Sequence, residues 1–224
     1  MKVNKYPQRS EGWHRARLGL PTASNASKII APTGKRSTQA RKFLHQLAWE
    51  RVAGVPGAED ISAIPHIRDG LEREDAAADA FAEAFGFTLQ EVGLCTTDDG
   101  KFGASPDRLI IGKDEIVEIK CPKPTTQIGY LLDGAEDAYK AQIAGHFLVG
   151  EWDNVHFWSY HPDAPAYHAV FDYQSFAPFV RLLRDYVAEF TAALDEAERK
   201  LRAMDWTWTN VLSNWPEDQE DEAW

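Results

Sequence analysis

The sequence predicts an α/β fold, a central mixed β-sheet flanked by helices, and three observations predict it. Between residues 87 and 120 the apolar spacing shortens toward two, and FTLQEVGL, KFGASPDRLIIG and EIVEIK read as successive strands with turns at DDG and GKD. On both sides of this block the spacing is helical. After the second helical stretch the strands NVHFWSY and AYHAVFDY return, followed by a long terminal helix over residues 175–204.

The elements follow in order. Thr22 or Ser24 caps a short helix running toward Ile30, and Ser37 or Thr38 caps a second through Val52 that stops at Gly54. The basic loop APTGKRS joins them. VPGAEDISAIPHIRDG is rich in turn residues and reads as an arm. LEREDAAADAFAEAFG then reads as an amphipathic helix with Leu71, Ala78, Phe81 and Phe85 on one side and Gly86 at its end. After the strand block, DGAEDAYKAQIAGHFLVG is helical.

The 224 residues, 44% hydrophobic and 26% charged, suffice for one sizeable core, so residues 1–224 are expected to form a single domain. No stretch approaches the roughly 20 apolar residues needed to span a bilayer, and the polar start lacks a signal-peptide core, which places the protein in the cytoplasm. Cys95 and Cys121 are too few for a disulfide framework or a four-cysteine cluster and are read as reduced thiols. The net charge of -11 hides an asymmetry. Residues 1–51 carry 11 Lys and Arg against 2 Asp and Glu, whereas residues 52–204 carry 13 against 27. The tail 205–224 adds six acids, no bases and four of the eight tryptophans. A basic segment on an acidic body suits a protein that grips a polyanion at one surface, although a solvated basic surface would read the same way.

The chemistry concentrates in SPDRLIIGKDEIVEIKCP. Alternation along EIVEIK puts Glu118 and Lys120 on one face of the strand and Val117 and Ile119 on the other. Asp107 opens the preceding strand, and a hairpin closed near Gly112 and Lys113 returns it toward Glu118. Two converging carboxylates beside an ammonium suit Mg²⁺, a hard cation that takes oxygen ligands. A lone Glu-x-Lys triplet is common and often only a surface ion pair. The seven histidines show no HExxH or HNH-like spacing and are read as structural or surface residues.

The full arrangement of Asp, hairpin, Glu-x-Lys and following helix is that of PD-(D/E)xK nucleases, and its Ser-Pro-Asp and Glu-Ile-Lys-Cys-Pro segments resemble the phage lambda exonuclease family. GWHRARLGLPTASNAS is similar to the same family's Trp-His-x-x-Arg-x-Gly-x-x-Thr-Ala-Ser motif. The resemblance implies a restriction-endonuclease-like core and a Mg²⁺-dependent exonuclease that degrades the 5′ strand from duplex DNA ends. The product is a 3′ overhang for a single-strand annealing protein in phage recombination. It further implies two metal ions, with Mn²⁺ as a substitute, and a homotrimer. By residue, it makes Asp107, Glu118 and the carbonyl of Ile119 metal ligands, and Glu74 the helix-borne acid that completes the site. Lys120 and Gln142 flank the attacking water, Arg17 and Ser24 bind the terminal 5′ phosphate, and Ile67 is the wedge at the end of the duplex. Tyr139 aligns the helix of Gln142 or packs in the core. Competing expectations are a site-specific endonuclease on the same core, an iron-sulfur nuclease, which two cysteines disfavour, and a non-catalytic DNA-binding scaffold.

Overall fold

The computed structural model describes residues 1–57 and 73–204; Ile67, Leu71 and the tail 205–224 lie outside them. In chain order the elements are β1 (Lys2–Val3), α1 (Glu11–Arg17), a 3₁₀ helix (Ala23–Lys28), α2 (Ala40–Ala53) and α3 (Glu74–Phe85). Then come β2 (Leu89–Gln90), β3 (Cys95–Thr96), β4 (Gly103–Ala104), β5 (Arg108–Ile110), β6 (Glu115–Lys120), α4 (Pro124–Asp133) and α5 (Glu136–Gly150). The described chain ends with β7 (Asn154–His161), β8 (Ala164–Asp172) and α6 (Tyr173–Arg202).

Five strands form the central sheet in the order β2-β5-β6-β7-β8. Its pairs are antiparallel except β6 and β7, which run parallel, so α4 and α5 together make the crossover between them. Alternation along β6 and β7 divides the interior. Ile116, Val155 and Phe157 join the larger core under α2, α5 and α6, while Val117, Ile119 and Trp158 pack with Ala77, Ala78 and Phe81 of α3. Buried Gln127 fastens α4 to the far strands, donating to the carbonyls of Ser159 at 3.2 Å and Pro165 at 2.7 Å.

Four sequence expectations change. KFGASPDRLIIG is two strands rather than one: Gly103–Ala104 pairs with Cys95–Thr96 in a separate three-stranded sheet, whereas Arg108–Ile110 belongs to the central one. Pro106 lies at the break, having no N–H to offer a ladder. The helix after Thr22 is a single 3₁₀ segment, and α2 begins at Ala40, after Gln39, rather than at Ser37 or Thr38. Phe85 is exposed although its ring packs near Phe81 and Phe87. The helix α1 and the strand β1 carry no strong periodicity and were not anticipated.

Candidate active site

Strand register builds the acidic pair. Arg108 pairs with Val117 across β5 and β6, which sets Asp107 beside the following residues of β6. The hairpin closes where Gly112 takes φ +81°, a left-handed conformation that favours glycine. As a result the backbone N–H of Ile119 donates to Asp107 Oδ2 at 2.6 Å. Glu118, on the opposite side of the strand from Val117 and Ile119, points toward α5 and is only 2% exposed.

Three donors meet Glu118 there. Lys120 and Gln142 Nε2 both donate to Oε1, the latter at 2.6 Å, and His146 Nε2 lies 2.7 Å from Oε2. Gln142 and His146 are four residues apart on α5 and therefore share a face. Tyr139, one turn earlier, carries the Lys120 ammonium 5.4 Å from its ring centroid and shares a 2.8 Å hydrogen bond with the Tyr130 hydroxyl. The helix comes this close because Gly145 lies against the 3₁₀ helix, where a Cβ would meet the Cα and Cβ of Ala23 at 2.8 Å each.

Glu74, the first residue of α3, closes another side and is paired with Arg9. Arg9 holds φ +66°, unusual for a residue with a Cβ. Arg108 approaches Glu74 at 3.7 Å and donates to Asp75 at 2.6 Å.

A cationic pocket adjoins the acids. Arg17, the last residue of α1, donates to the hydroxyls of Ser24 and Ser105 at 3.2 Å each and reaches Thr22 at 3.5 Å. Its guanidinium lies 4.2 Å from the Trp13 ring centroid, and Trp13 Nε1 donates to Ser105 Oγ at 3.1 Å. The turn after it is anchored by α2: buried Glu50 accepts from Gly19 N at 2.9 Å, and Arg51 Nε donates to Gly19 O at 2.8 Å. Among the described residues, Arg17 thus pairs with neutral hydroxyls rather than a carboxylate. Burial lowers its pKa to about 10, well inside the range where it stays charged at neutral pH.

These groups line one cleft of about 200 Å³, in which Arg9, Trp13, Arg17 and Ser24 adjoin Glu74, Asp107, Glu118, Lys120, Gln142 and His146. Burial and the neighbouring Glu118 charge raise the Asp107 carboxyl well above the usual range. Burial also raises Glu74, against the pull of Arg9 and Arg108. Burial opposes ionisation of Glu118 too, but Lys120 and His146 outweigh it and hold its pKa down to about 2. For Lys120, burial acts against the charge, and Glu118 and Asp107 outweigh it, so the ammonium is stabilised above its ordinary range.

Two crowded carboxylates of unequal proton affinity, with the Ile119 backbone beside them, fit a hard divalent cation, because such a cation relieves the repulsion that raises Asp107. Among the described residues no group of three or more His, Cys, Asp or Glu is disposed to hold an ion. Mg²⁺ suits that sparse donor set, since it keeps several waters and shares its remaining positions with substrate phosphate.

The structure therefore brings Glu74, Asp107, Glu118, Lys120, Gln142, Arg17 and Ser24 into one cleft, while Ile67 lies outside the described residues. Sequence reasoning missed His146, Arg9, Trp13 and Ser105. Of these, His146 was detectable from its four-residue spacing to Gln142, and Ser105 from its place before Pro106 and Asp107.

The mixed sheet, the Asp-hairpin-Glu-x-Lys strand pair and the glutamine-bearing helix define a nuclease core of the PD-(D/E)xK type. The chain belongs to the family of the YqaJ-like viral recombinase domain, whose model matches residues 12–152, and this family is lambda-exonuclease-like. Among solved structures it is similar to the alkaline exonuclease LHK-Exo from Laribacter hongkongensis, with 25% identity and a TM-score of 0.71 over 86% of this chain and 98% of that one. The same enzyme in complex with dAMP matches with a TM-score of 0.70 at 25% identity over the same shares. A phage-related exonuclease from Haemophilus somnus 129PT shares the fold at 14% identity, with a TM-score of 0.62 over 82% of this chain and 95% of that one. No curated protein matches the sequence.

Proposed function

We propose that this protein is a Mg²⁺-dependent exonuclease that degrades the 5′ strand from ends of duplex DNA and leaves a 3′ overhang. The observation that carries the reading is the cleft in which a carboxylate pair adjoins a half-buried guanidinium partnered by hydroxyls. The first half suits a cation and the second a phosphate. A guanidinium fork beside hydroxyls is a good ligand for a terminal phosphate. Likeness to an alkaline exonuclease over nearly the whole of both chains supports the same class of substrate.

In this reading Asp107, Glu118 and the carbonyl of Ile119 would hold the metal, and Glu74 completes the acidic site. Mn²⁺ substitutes for Mg²⁺. A bound divalent cation supplies Lewis acidity toward the scissile phosphate and makes a neighbouring water more acidic. Gln142 orients that water from α5. Lys120 acts as a fixed positive charge beside the developing phosphorane rather than as a base, because its carboxylate neighbours favour the ammonium. Arg17 and Ser24 take the 5′ phosphate and set how far the strand enters. Ile67, on the arm, is the wedge that parts the terminal base pair.

The same reading makes the protein a ring-shaped homotrimer that passes its overhang to a single-strand annealing protein in phage recombination, within the host cytoplasm. None of the described helices is long and apolar enough to cross a membrane. Encirclement would keep an acidic protein on DNA without strong phosphate binding. Part of the charge of residues 1–51 is already matched within the chain, Arg36 by Glu189 and Arg51 by Asp195 and Glu198. The Trp-rich tail is the proposed docking surface for the annealing protein, since tryptophans are favoured interface anchors.

The test is digestion of a linear duplex labelled separately at its 5′ and 3′ ends, with and without Mg²⁺, beside a closed circle. Mg²⁺-dependent release of the 5′ label, with the circle intact, is expected. Cutting of the circle would favour an endonuclease, and binding without cleavage a scaffold.

A further inference from the structure

We propose that His146 is a positioning residue that fixes the orientation of the Glu118 carboxylate by donating from Nε2 to Oε2, and so prepares it to bind the metal. The proposal rests on the reading of Glu118 as a ligand.

The argument starts from an anomaly of burial. His146 is 1% exposed, in the interior face of α5, yet among the described residues its Nδ1 has no hydrogen-bond partner. An ionised carboxylate only accepts, so the 2.7 Å contact with Glu118 assigns a hydrogen to Nε2 and leaves Nδ1 as the ring nitrogen without a partner among the described residues. A buried polar atom without a partner is costly, and a leucine at this place would avoid that cost. The imidazole at this position is therefore explained by what Nε2 does, not by packing.

The carboxylate geometry supplies that explanation. Lys120 and Gln142 both engage Oε1, and among the described residues His146 is the donor to Oε2. Contacts to Oε1 alone leave the carboxylate free to swing about its last torsion, a soft two-fold rotor. The second contact, from a rigid ring one turn along the same helix, removes that freedom. The ring itself is held: Gly145 lets α5 press against Ala23, and the Trp152 ring lies with its centroid 6.4 Å from that of His146. Hydrogen bonds from behind a metal ligand orient it, and their removal costs about 10–100-fold in metal affinity or activity.

The experiment is calorimetric titration of Mn²⁺ into the full chain without DNA, for wild type, His146→Leu, His146→Gln, His146→Asn and Glu118→Ala. Single-turnover cleavage, melting temperature and anisotropy of a fluorescent duplex end in EDTA are measured in parallel. His146→Leu should weaken Mn²⁺ binding by about 10–100-fold and raise the Mg²⁺ concentration needed for half-maximal cleavage. Affinity for the DNA end should not change. His146→Gln, whose amide nitrogen reaches the place of Nε2, should recover most of the loss, whereas the shorter His146→Asn should not. If His146→Leu fails to fold, the contrast between Gln and Asn decides. Wild-type Mn²⁺ affinity in His146→Leu or His146→Asn, with Glu118→Ala defective, would overturn the proposal alone. Wild-type affinity in Glu118→Ala would instead overturn the assignment of the ligand.

Discussion

Asp107 Oδ2 accepts a 2.6 Å hydrogen bond from the backbone N–H of Ile119, so the first acid of the cleft is tied to the strand that carries the second. Asp107→Asn keeps an acceptor for that N–H and removes only the charge. It should therefore melt like the wild type while its single-turnover cleavage falls at least about 10³-fold. Glu118→Ala and Lys120→Ala should lose comparably, and Asp107→Asn combined with Glu118→Ala should be no slower than either alone, because these groups act as one unit. Near-normal cleavage by Glu118→Ala at saturating Mg²⁺ would remove it as a ligand.

Arg17 is half-buried among hydroxyls, and this sets its expected role. A duplex with a 5′ phosphate should be digested faster than one with a 5′ hydroxyl at one fixed salt concentration. Arg17→Ala should erase most of that preference, a loss of about 1.5–3 kcal/mol for a charge-assisted contact, and leave Mn²⁺ binding intact. Equal rates on both ends for wild type would sink the assignment of this pocket while leaving the metal site standing.

Gly145 sets the gap between the Arg17 pocket and the acids. A methyl there would collide with Ala23 at 2.8 Å, so Gly145→Ala should push the helix bearing Ser24 away from α5. Displacements near 1 Å cost about 10²-fold in rate. The variant should cleave slowly and lose much of its 5′-phosphate preference. Adding Ala23→Gly should restore only part, because the Ala23 backbone still obstructs. An unaltered rate in Gly145→Ala would disprove this spacing.

Asp172 caps the 30-residue helix α6, accepting from Ser175 N at 2.9 Å. That hydrogen bond, with a second from the Ser175 hydroxyl, lowers the Asp172 pKa. The sign follows: a depressed carboxylate stabilises the fold above its unfolded pKa of about 3.9, and that stability is lost as pH falls through the lower folded value. Asp172→Ala should melt about 2–4 °C below wild type at pH 7, and the gap should shrink as pH falls below about 3.9. Thermal melts across that range check it, and a gap independent of pH would show that the charge is immaterial.

Sedimentation at micromolar concentration should give a trimer. Monomer alone, together with fully processive digestion, would rule out encirclement.

The sequence by itself determined the local chemistry: which strand carries Glu118 and Lys120, that Asp107 returns toward them, and that Arg17 and Ser24 lie in a basic segment. Strand alternation, the turn at Gly112 and the Gly54 and Gly86 helix ends act over a few residues, so their signals survive without the fold. The Ser-Pro-Asp break was harder to read, because a proline disqualifies a strand position without telling which sheet each half will join. What only the tertiary structure decided is convergence. Arg9 against Glu74, Ser105 against Trp13 and Arg17, and His146 against Glu118 join residues between 28 and 92 positions apart. The four-residue spacing to Gln142 puts His146 on the same helix face, but it does not tell whether that face packs in the core or lies over Glu118. Only the parallel crossover through α4 and α5 lays the Gln142 and His146 face over β6, and only the glycine contact with Ala23 brings it within hydrogen-bonding distance.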